Sequence, residues 1–566
     1  MINVTLTKLD GTKMNKQVEK PKYGGTLNLL GSPSTFGIAN MGISSAGSLF
    51  VSTFLHGDWA RGTAGTGELS WQIYEYMSMD HFMPALAEKW EMPDDETIIY
   101  HIRRGVHWAL DSREASRLVG GRELTADDVA WNLNYQFFTV PATALKRSYG
   151  KAVEKADVRA TDKYTVVVKA PKLDLFQFLG FMSDTLPILP PEVVQKYGPL
   201  AEWDKLVTTG AFIIKDYVSS SVTTFVKNPN YWEYDPILGK DYVLPYVDSI
   251  KYLSISDQAT AAAALRTGKV DALGTGGVAL TKDQYQEVIR TTPRLKTKTL
   301  NFGTQGMRIA MQMNDKKAPW QDLRVRRALM MAIDHQGIVD TYYGGAADPQ
   351  SFPLPGAPEL YALGWNISLK ELSPETQALF KYSPDEAKKL LAEAGYPNGF
   401  KTSLMISSTS AEFLDLGTIL KESWAKVGID LTLDIREASV FSGISSDASQ
   451  PAMIHANTWG TATLYNKFAP PPNSFNQGNF DDPRINEMRS KMFDVLWDIK
   501  KRTPIMRELY AYTVSQVWYL SLPSSWGYTV YQPWVKNFDG ERSIGYWGQP
   551  WRFMWLDLDL KKKLGY

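Results

Sequence analysis

Residues 401–435 read KTSLMISSTSAEFLDLGTILKESWAKVGIDLTLDI, and this stretch indicates the class of fold. Lys401 to Ile406 and Asp430 to Ile435 are short runs with the apolar content of buried strands. Leu416 to Val427 lies between them and has the apolar periodicity of a helix. A strand, a helix and a strand in this order predict a β-α-β unit, the building block of layered α/β folds.

The same alternation extends to both sides of this unit. Ser249 to Ile255 and Val270 to Leu273 are strand-like, and Thr260 to Thr267, with four alanines, predicts a helix between them. Further on, Ile309 to Gln312 predicts a strand and Asp322 to Ile333 a helix. The pattern therefore predicts two α/β blocks in one chain.

The amino-terminal part of the chain contains three local signals. Met1 to Lys22 is polar and lacks the apolar core of a secretory signal, so we interpret it as a flexible leader. Lys89 to Met92 and Thr97 to Ile102 flank an acidic turn and predict a hairpin. Thr125 is a good N-cap for a following helix.

Composition limits the possible functions. A chain of 566 residues is long enough for two or more domains. Lys and Arg together number 61, as do Asp and Glu, so no basic excess points to a nucleic-acid partner. There is no cysteine, which excludes disulfides, thiolate metal sites and cysteine nucleophiles.

Ordered motifs along the chain resemble those of family 5 solute-binding proteins, the peptide-binding type of ABC importers. These motifs are Leu86 to Trp90, Tyr100 to Trp108, Leu124 to Val129, Thr209 to Phe212, Lys227 to Trp232, Leu244 to Asp248, Leu265 to Asp271, Asp322 to Asp334 and Ala387 to Tyr396. Each motif is weak by itself, but the set follows the family's order over nearly the whole chain.

This resemblance implies an α/β, two-lobe periplasmic-binding-protein fold, type II-like, with a hinge between the lobes and an extra domain inserted in the first lobe. After the leader, the first lobe would comprise residues 23–55, 203–302 and 525–566. The inserted domain would be residues 56–202, and the second lobe residues 303–524.

The resemblance also implies the function of a substrate-binding protein. Such a protein captures an oligopeptide or an oligosaccharide in an interlobe cleft and delivers it to the transmembrane subunits of an ABC permease. We therefore expect a periplasmic or extracellular monomer that needs no cofactor or metal and has no catalytic residues. Membrane tethering is left open, and we expect no nucleic-acid partner.

One departure from the family pattern concerns the ligand. Peptide binders of the family carry an Asp three residues after a Trp, and that Asp pairs with the peptide amino group. Trp459 matches the Trp, but Ala462 stands in place of the Asp. Because an enclosed ammonium without a counter-charge is costly, a sugar or a peptide without a free amino group becomes an alternative ligand. An acid from elsewhere in the chain could also substitute.

Candidate ligand-binding residues are aromatic or polar side chains near the expected cleft. Flat rings with polar edges suit sugar faces and peptide side chains alike. The candidates are Trp459, Asn457, Trp526, Trp71, Ser32, Ser34 and Phe36.

The main rival is a glycoside hydrolase or another carbohydrate-acting enzyme. Such an enzyme needs two carboxylates that flank the scissile bond, and no motif singles out a pair. The chain also lacks a P-loop and the zinc-protease and nucleophile-elbow motifs. Among six histidines, His455 is the one that we would test as a metal or haem ligand.

Overall fold

The structure is a computed structural model. It describes residues 1–31, 47–72, 79–139, 155–171, 179, 183–198, 202–255, 257–273, 280–303, 306–350, 352–354, 356–457, 468–471, 475–496, 498–545, 548 and 550–566. Four of the predicted site residues, Ser32, Ser34, Phe36 and Trp459, lie outside these ranges.

Within these ranges the strands are β1 (Ile2–Thr7), β2 (Lys13–Val18), β3 (Thr26–Gly31), β4 (Leu55–Gly57), β5 (Phe82–Pro84), β6 (Ala87–Asp94), β7 (Thr97–Ile102), β8 (Asp157–Asp162), β9 (Thr165–Lys169), β10 (Phe212–Val218), β11 (Val222–Lys227), β12 (Tyr234–Asp235), β13 (Gly239–Val243), β14 (Ser249–Ser254), β15 (Ala272–Leu273), β16 (Lys296–Gly303), β17 (Met307–Met311), β18 (Ala347–Asp348), β19 (Phe400–Ser407), β20 (Ile429–Arg436), β21 (Met453–Asn457), β22 (Tyr519–Ser521), β23 (Ser524–Tyr531), β24 (Val535–Lys536) and β25 (Trp555–Leu556).

The α-helices are α1 (Gly47–Phe50), α2 (Glu114–Val119), α3 (Ala126–Asn134), α4 (Ser183–Thr185), α5 (Pro191–Tyr197), α6 (Gln258–Arg266), α7 (Lys282–Thr291), α8 (Leu323–Met331), α9 (His335–Gly337), α10 (Pro358–Ala362), α11 (Pro374–Ala378), α12 (Pro384–Glu393), α13 (Ala411–Ala425), α14 (Ala438–Ser446), α15 (Pro483–Asp494), α16 (Ile499–Gln516) and α17 (Leu558–Lys563). None of these described helices is long and apolar enough to span a membrane.

The chain divides into two compact units. Unit 1 comprises Met1–Lys298 and Tyr528–Tyr566, and unit 2 comprises Thr299–Gly527. The chain therefore passes between the units twice, once within β16 and once within β23. The further division of unit 1 into a lobe and an inserted domain of residues 56–202 stays a prediction.

The larger sheet of unit 1 has the strand order β10-β11-β14-β3-β15 and continues with β23 and β16. Strand β3 lies parallel to both β14 and β15, so the carboxyl ends of these three strands share one edge. Helices α6 and α7 pack on this sheet through Leu265, Val288 and other buried apolar side chains, which meet Leu30 of β3. Each such side chain stabilises the fold by about 1.5–3 kcal/mol when it leaves water.

A second sheet of unit 1 has the order β6-β7-β9-β8 and is entirely antiparallel. Its first two strands form the hairpin predicted from the sequence. The predicted N-cap Thr125 precedes α3, where its backbone N–H donates to the carboxylate of Asp128 over 2.9 Å. Asp128 is buried and also pairs with Arg122 at 2.7 Å, which ties the start of the helix to the preceding turn.

The first 22 residues correct the expectation of a flexible leader. Strands β1 and β2 form an antiparallel hairpin in a register that pairs Ile2 with Val18 and Thr7 with Lys13. Lys16 fixes this hairpin to unit 1, because its ammonium donates to the carbonyls of residues 63, 64 and 65 over 2.7, 3.0 and 2.8 Å. The polar composition reflects two exposed strand faces and does not reflect a lack of structure.

Unit 2 contains the predicted β-α-β unit. Its sheet has the order β20-β19-β21-β17-β22, and β19 is parallel to β20 and β21. Helix α13 joins β19 to β20 and buries Trp424, whose indole N–H donates to the carbonyl of Leu329 over 3.1 Å. The carboxyl ends of β19, β20 and β21 thus share one edge of this sheet.

Candidate ligand-binding site

In each unit, one sheet edge has the features of a ligand-binding edge. Open α/β sheets bind ligands outside the carboxyl ends of their parallel strands. In unit 1 this edge is formed by Gly31, Ser254 and Leu273, the last residues of β3, β14 and β15. The predicted residues Ser32 and Ser34 follow β3 in the sequence and lie outside the described residues.

The end of β3 requires glycine at position 31, because the ring of Tyr252 lies too close for any other side chain. A Cβ atom at this position would lie 2.1 Å from the ring of Tyr252, which is buried in the neighbouring strand β14. Such a contact is sterically impossible without a shift of the ring. The absence of a side chain at Gly31 therefore allows the strand to end against Tyr252.

In unit 2 the corresponding edge is formed by Ser407, Arg436 and Asn457, the last residues of β19, β20 and β21. The backbone of Asn457 pairs with that of Met307 in β17. Trp459 follows two residues later, outside the described part. The topology thus places Asn457 at this edge, and its contact with a ligand stays a prediction.

Trp526 and Trp71 differ in their surroundings. Trp526 lies in β23 and is partly buried, and its backbone N–H donates to the carbonyl of Ala346 over 2.9 Å. Trp71 is only 3% exposed, has a left-handed backbone with φ of 53°, and accepts backbone bonds from Arg542 and Ser543. Burial of Trp71 indicates a packing role in unit 1, whereas Trp526 is only partly buried. Ligand contact by either residue stays a prediction.

A pair of stacked tyrosines in unit 1 was not singled out from the sequence. The rings of Tyr285 in α7 and Tyr528 in β23 lie 4.3 Å apart at an interplanar angle of 19°. Both side chains are partly buried, and burial raises the pKa of the Tyr528 phenol. Stacked rings with exposed surface can receive a flat apolar ligand face.

A small pocket in unit 1, lined by both polar and apolar residues, has too little room for an oligomer. It encloses about 30 Å³ between residues that include Ser52, His56 and Glu233, which is room for one or two water molecules. Glu233 lies 2.8 Å from His56 Nε2 and 2.7 Å from Arg552 Nε, and it accepts a hydrogen bond from Tyr231. Burial alone would raise the pKa of Glu233, but Arg552 and His56 outweigh this effect and lower the pKa to about 2.

His455 is a core residue of unit 2. It is 5% exposed, and its ring stacks on Phe441 at 4.3 Å and meets Phe413 edge-on at 4.9 Å. Its Nδ1 accepts the backbone N–H of Ser407 over 3.3 Å. Burial lowers the pKa of His455 to about 4. Among the described residues no group of three side chains is arranged to hold a metal ion.

A carboxylate that the sequence did not single out lies just beyond the end of β19. Glu412 is partly buried in the first turn of α13, where its Oε1 accepts hydrogen bonds from Tyr343 (2.6 Å) and Ser525 (3.4 Å). Burial raises the pKa of the Glu412 carboxyl, and burial together with Glu412 raises the pKa of Tyr343. One turn along, Asp415 is exposed and accepts from Tyr342 over 2.9 Å.

The sequence matches the family described as bacterial extracellular solute-binding proteins, family 5 Middle, over residues 81–480. Haem-binding protein A of Haemophilus influenzae is 25% identical over 80% of this chain and 81% of its own length. The periplasmic oligopeptide-binding protein OppA of Salmonella typhimurium is 26% identical over 64% of each chain.

Solved structures show the same fold. DppA of Helicobacter pylori, a periplasmic binding protein in complex with the peptide STSA, has a TM-score of 0.73 and 20% identity, over 95% of this chain and 99% of its own. AgaA of A. tumefaciens R10, in complex with agropinic acid, has a TM-score of 0.71 and 18% identity, over 94% and 99%.

These likenesses confirm the expected two-lobe α/β fold of the periplasmic-binding-protein type. The matched family region covers more than half of the 566 residues. The chain belongs to family 5 of the bacterial extracellular solute-binding proteins, the peptide-binding type of ABC transporters.

Proposed function

We propose that this chain captures a small oligomeric solute, in the first place an oligopeptide, and delivers it unchanged to the transmembrane subunits of an ABC permease. It would do so in the periplasm or outside the cell, as a monomer, with or without a membrane tether. No bond is made or broken in this role. The rival, a carbohydrate-acting enzyme, would convert its ligand.

The observation that carries this proposal is the double passage of the chain between two α/β units. Two adjacent connections, here in β16 and β23, are the arrangement that lets rigid bodies close about a hinge. Each unit also has a sheet edge formed by the carboxyl ends of parallel strands, where open α/β sheets bind ligands. Relatives that bind peptides, such as OppA, favour a peptide as the ligand.

An oligosaccharide or an amino-blocked peptide is the second candidate. Ala462, three residues after Trp459, leaves that position without the carboxylate that family peptide binders use. The partly exposed Tyr285–Tyr528 stack offers a flat aromatic surface of the kind that sugar rings pack on. AgaA shows that the same fold accommodates a ligand other than a peptide.

A ligand panel distinguishes these candidates. The panel contains trialanine, N-acetyl-trialanine and maltotriose, each titrated into the protein by calorimetry and tested for a rise in melting temperature. A ligand that binds only the folded state stabilises it by about 2.7 kcal/mol when its concentration is a hundred times Kd. This stabilisation raises the melting temperature. We expect a peptide to bind and to be recovered unchanged. Binding of maltotriose alone would favour the second candidate, and turnover of a chromogenic glycoside would contradict the binding function.

A further inference from the structure

Glu412 lacks a positive partner at the place where unit 2 is expected to meet a ligand. Among the described residues Glu412 forms no ion pair with Lys, Arg or His within 4 Å, and the charged group that acts on it is the acid Asp415, which raises its pKa further. The start of α13 provides only the partial positive charge of a helix amino terminus. Because a poorly solvated carboxylate without a counter-charge is costly, such a group is a marker of a functional site.

The two oxygens of the Glu412 carboxylate differ in their contacts. Both hydrogen bonds from the described protein, those of Tyr343 and Ser525, end on Oε1. They fix the orientation of the carboxylate and leave Oε2 as an acceptor with no partner among the described residues. The carboxylate is therefore held in place by two hydroxyl groups and has one oxygen available to a donor from outside.

Glu412 comes soon after a strand end at which a ligand is expected to bind. It follows the carboxyl end of β19 by five residues, and its partner Ser525 belongs to β23, the strand in which the chain leaves unit 2. Ser525 is also the neighbour of Trp526, a predicted ligand-binding residue. The Glu412 carboxylate and the hydroxyl groups of Tyr343 and Ser525 thus come together in one part of unit 2.

We propose that Glu412 is the carboxylate that binds an ammonium group of the ligand, in place of the acid that is missing at Ala462. The ammonium group supplies the counter-charge that the protein does not, and it donates to Oε2 while Tyr343 and Ser525 hold Oε1. This inference rests on the proposed peptide-binding function and specifies the chemistry of that site. Tyr343 is a positioning residue, because it acts on the ligand only through Glu412.

The test compares Glu412→Gln with wild type, because Gln keeps the shape and the acceptor for Tyr343 but removes the charge. Calorimetry at pH 7 uses trialanine and N-acetyl-trialanine, and N-acetyl-Ala-Lys-Ala-amide distinguishes a lysine ammonium from an amino terminus. A hydrogen bond between charged groups is worth a factor of about 10–150 in affinity. We expect Glu412→Gln to weaken binding of the ammonium-bearing peptide by about that factor and to leave the affinity for N-acetyl-trialanine unchanged.

Asp415→Asn is the matched control, because Asp415 is an exposed acid one turn further along α13 and accepts a hydrogen bond from another tyrosine, Tyr342. We expect it to change each affinity by less than about threefold. The melting temperature of ligand-free Glu412→Gln should equal or exceed that of wild type, because the variant removes an uncompensated charge. This measurement separates a loss of ligand binding from a loss of folding.

Three outcomes would overturn the inference. Equal affinities of wild type and Glu412→Gln for every ammonium-bearing peptide would show that the carboxylate has no ligand role. A wild type that binds N-acetyl-trialanine as tightly as both ammonium-bearing peptides would exclude an ammonium ligand, although the proposed binding function would stand. A wild type that binds no member of the panel would contradict the proposed peptide-binding function and this inference together.

Discussion

At the scale of single residues, Glu233 makes the clearest pH prediction. Its pKa lies at about 2 in the folded protein, against 4.5 for the free side chain, so its ionised form stabilises the fold. This contribution is complete above pH 4.5 and is lost as the pH falls through 2. On the order of 2 kcal/mol should disappear between pH 7 and pH 3.

Urea unfolding of wild type and Glu233→Gln at pH 7, 5, 4 and 3 tests this expectation. The variant should be less stable at pH 7, because Arg552 and His56 lose their carboxylate partner. It should also lose less stability on acidification than wild type does. If the free energy of unfolding fell equally with pH in the two proteins, Glu233 would not be the group responsible for the loss of stability.

Single residues also show where sequence reasoning reached its limit. Glu412 is one of 61 acidic residues, and nothing in its neighbours along the chain marks it. Its partners Tyr343 and Ser525 are 69 and 113 positions away, so only the folded chain reveals the cluster. His455 was singled out because it is near Trp459, but its burial between Phe413 and Phe441 indicates a packing role.

At the scale of elements, helix α7 makes a second prediction. Thr281 caps this helix, because its hydroxyl accepts the N–H of Gln284 over 3.3 Å while Gln284 Oε1 accepts the N–H of Thr281 over 3.0 Å. Thr281 is exposed, so Thr281→Ala removes the cap with little loss of packing. We expect a loss of about 1 kcal/mol in the free energy of unfolding, measured by urea denaturation.

Thr281→Ser provides the control for the helix cap, because serine retains the hydroxyl group. The serine variant should keep nearly the full stability of wild type. Since α7 carries Tyr285 of the stacked pair, fraying of its first turn should also increase the solvent exposure of that ring, seen as a change in tyrosine fluorescence. Equal stability of the alanine variant and wild type would contradict the capping role.

Most elements could be predicted from the sequence because their signals are local. Helix α13 between β19 and β20, the hairpin of β6 and β7, and the alanine-rich helix α6 were all recognised from periodicity or composition. The hairpin of β1 and β2 was missed, because alternation is hidden when both strand faces are largely polar. The anchor of this hairpin is a contact between Lys16 and residues 63–65, which no local pattern encodes.

At the scale of the whole molecule, the order of the family motifs predicted the two-lobe fold. That fold predicts the sheet edges at which a ligand would bind, because the edges follow from the parallel pairing of β3 with β14 and of β19 with β20. It does not identify the ligand. Solved structures with the same fold hold a tetrapeptide or agropinic acid, so we expect side chains, and not the fold, to determine specificity.

The most direct test of the account is a crystal structure of the protein with a bound peptide from the panel. The account predicts an intact peptide bound in unit 2 near the carboxyl end of β19, with its ammonium group within hydrogen-bond distance of Glu412 Oε2. A peptide whose ammonium group is bound away from Glu412, or a cleaved peptide, would contradict it.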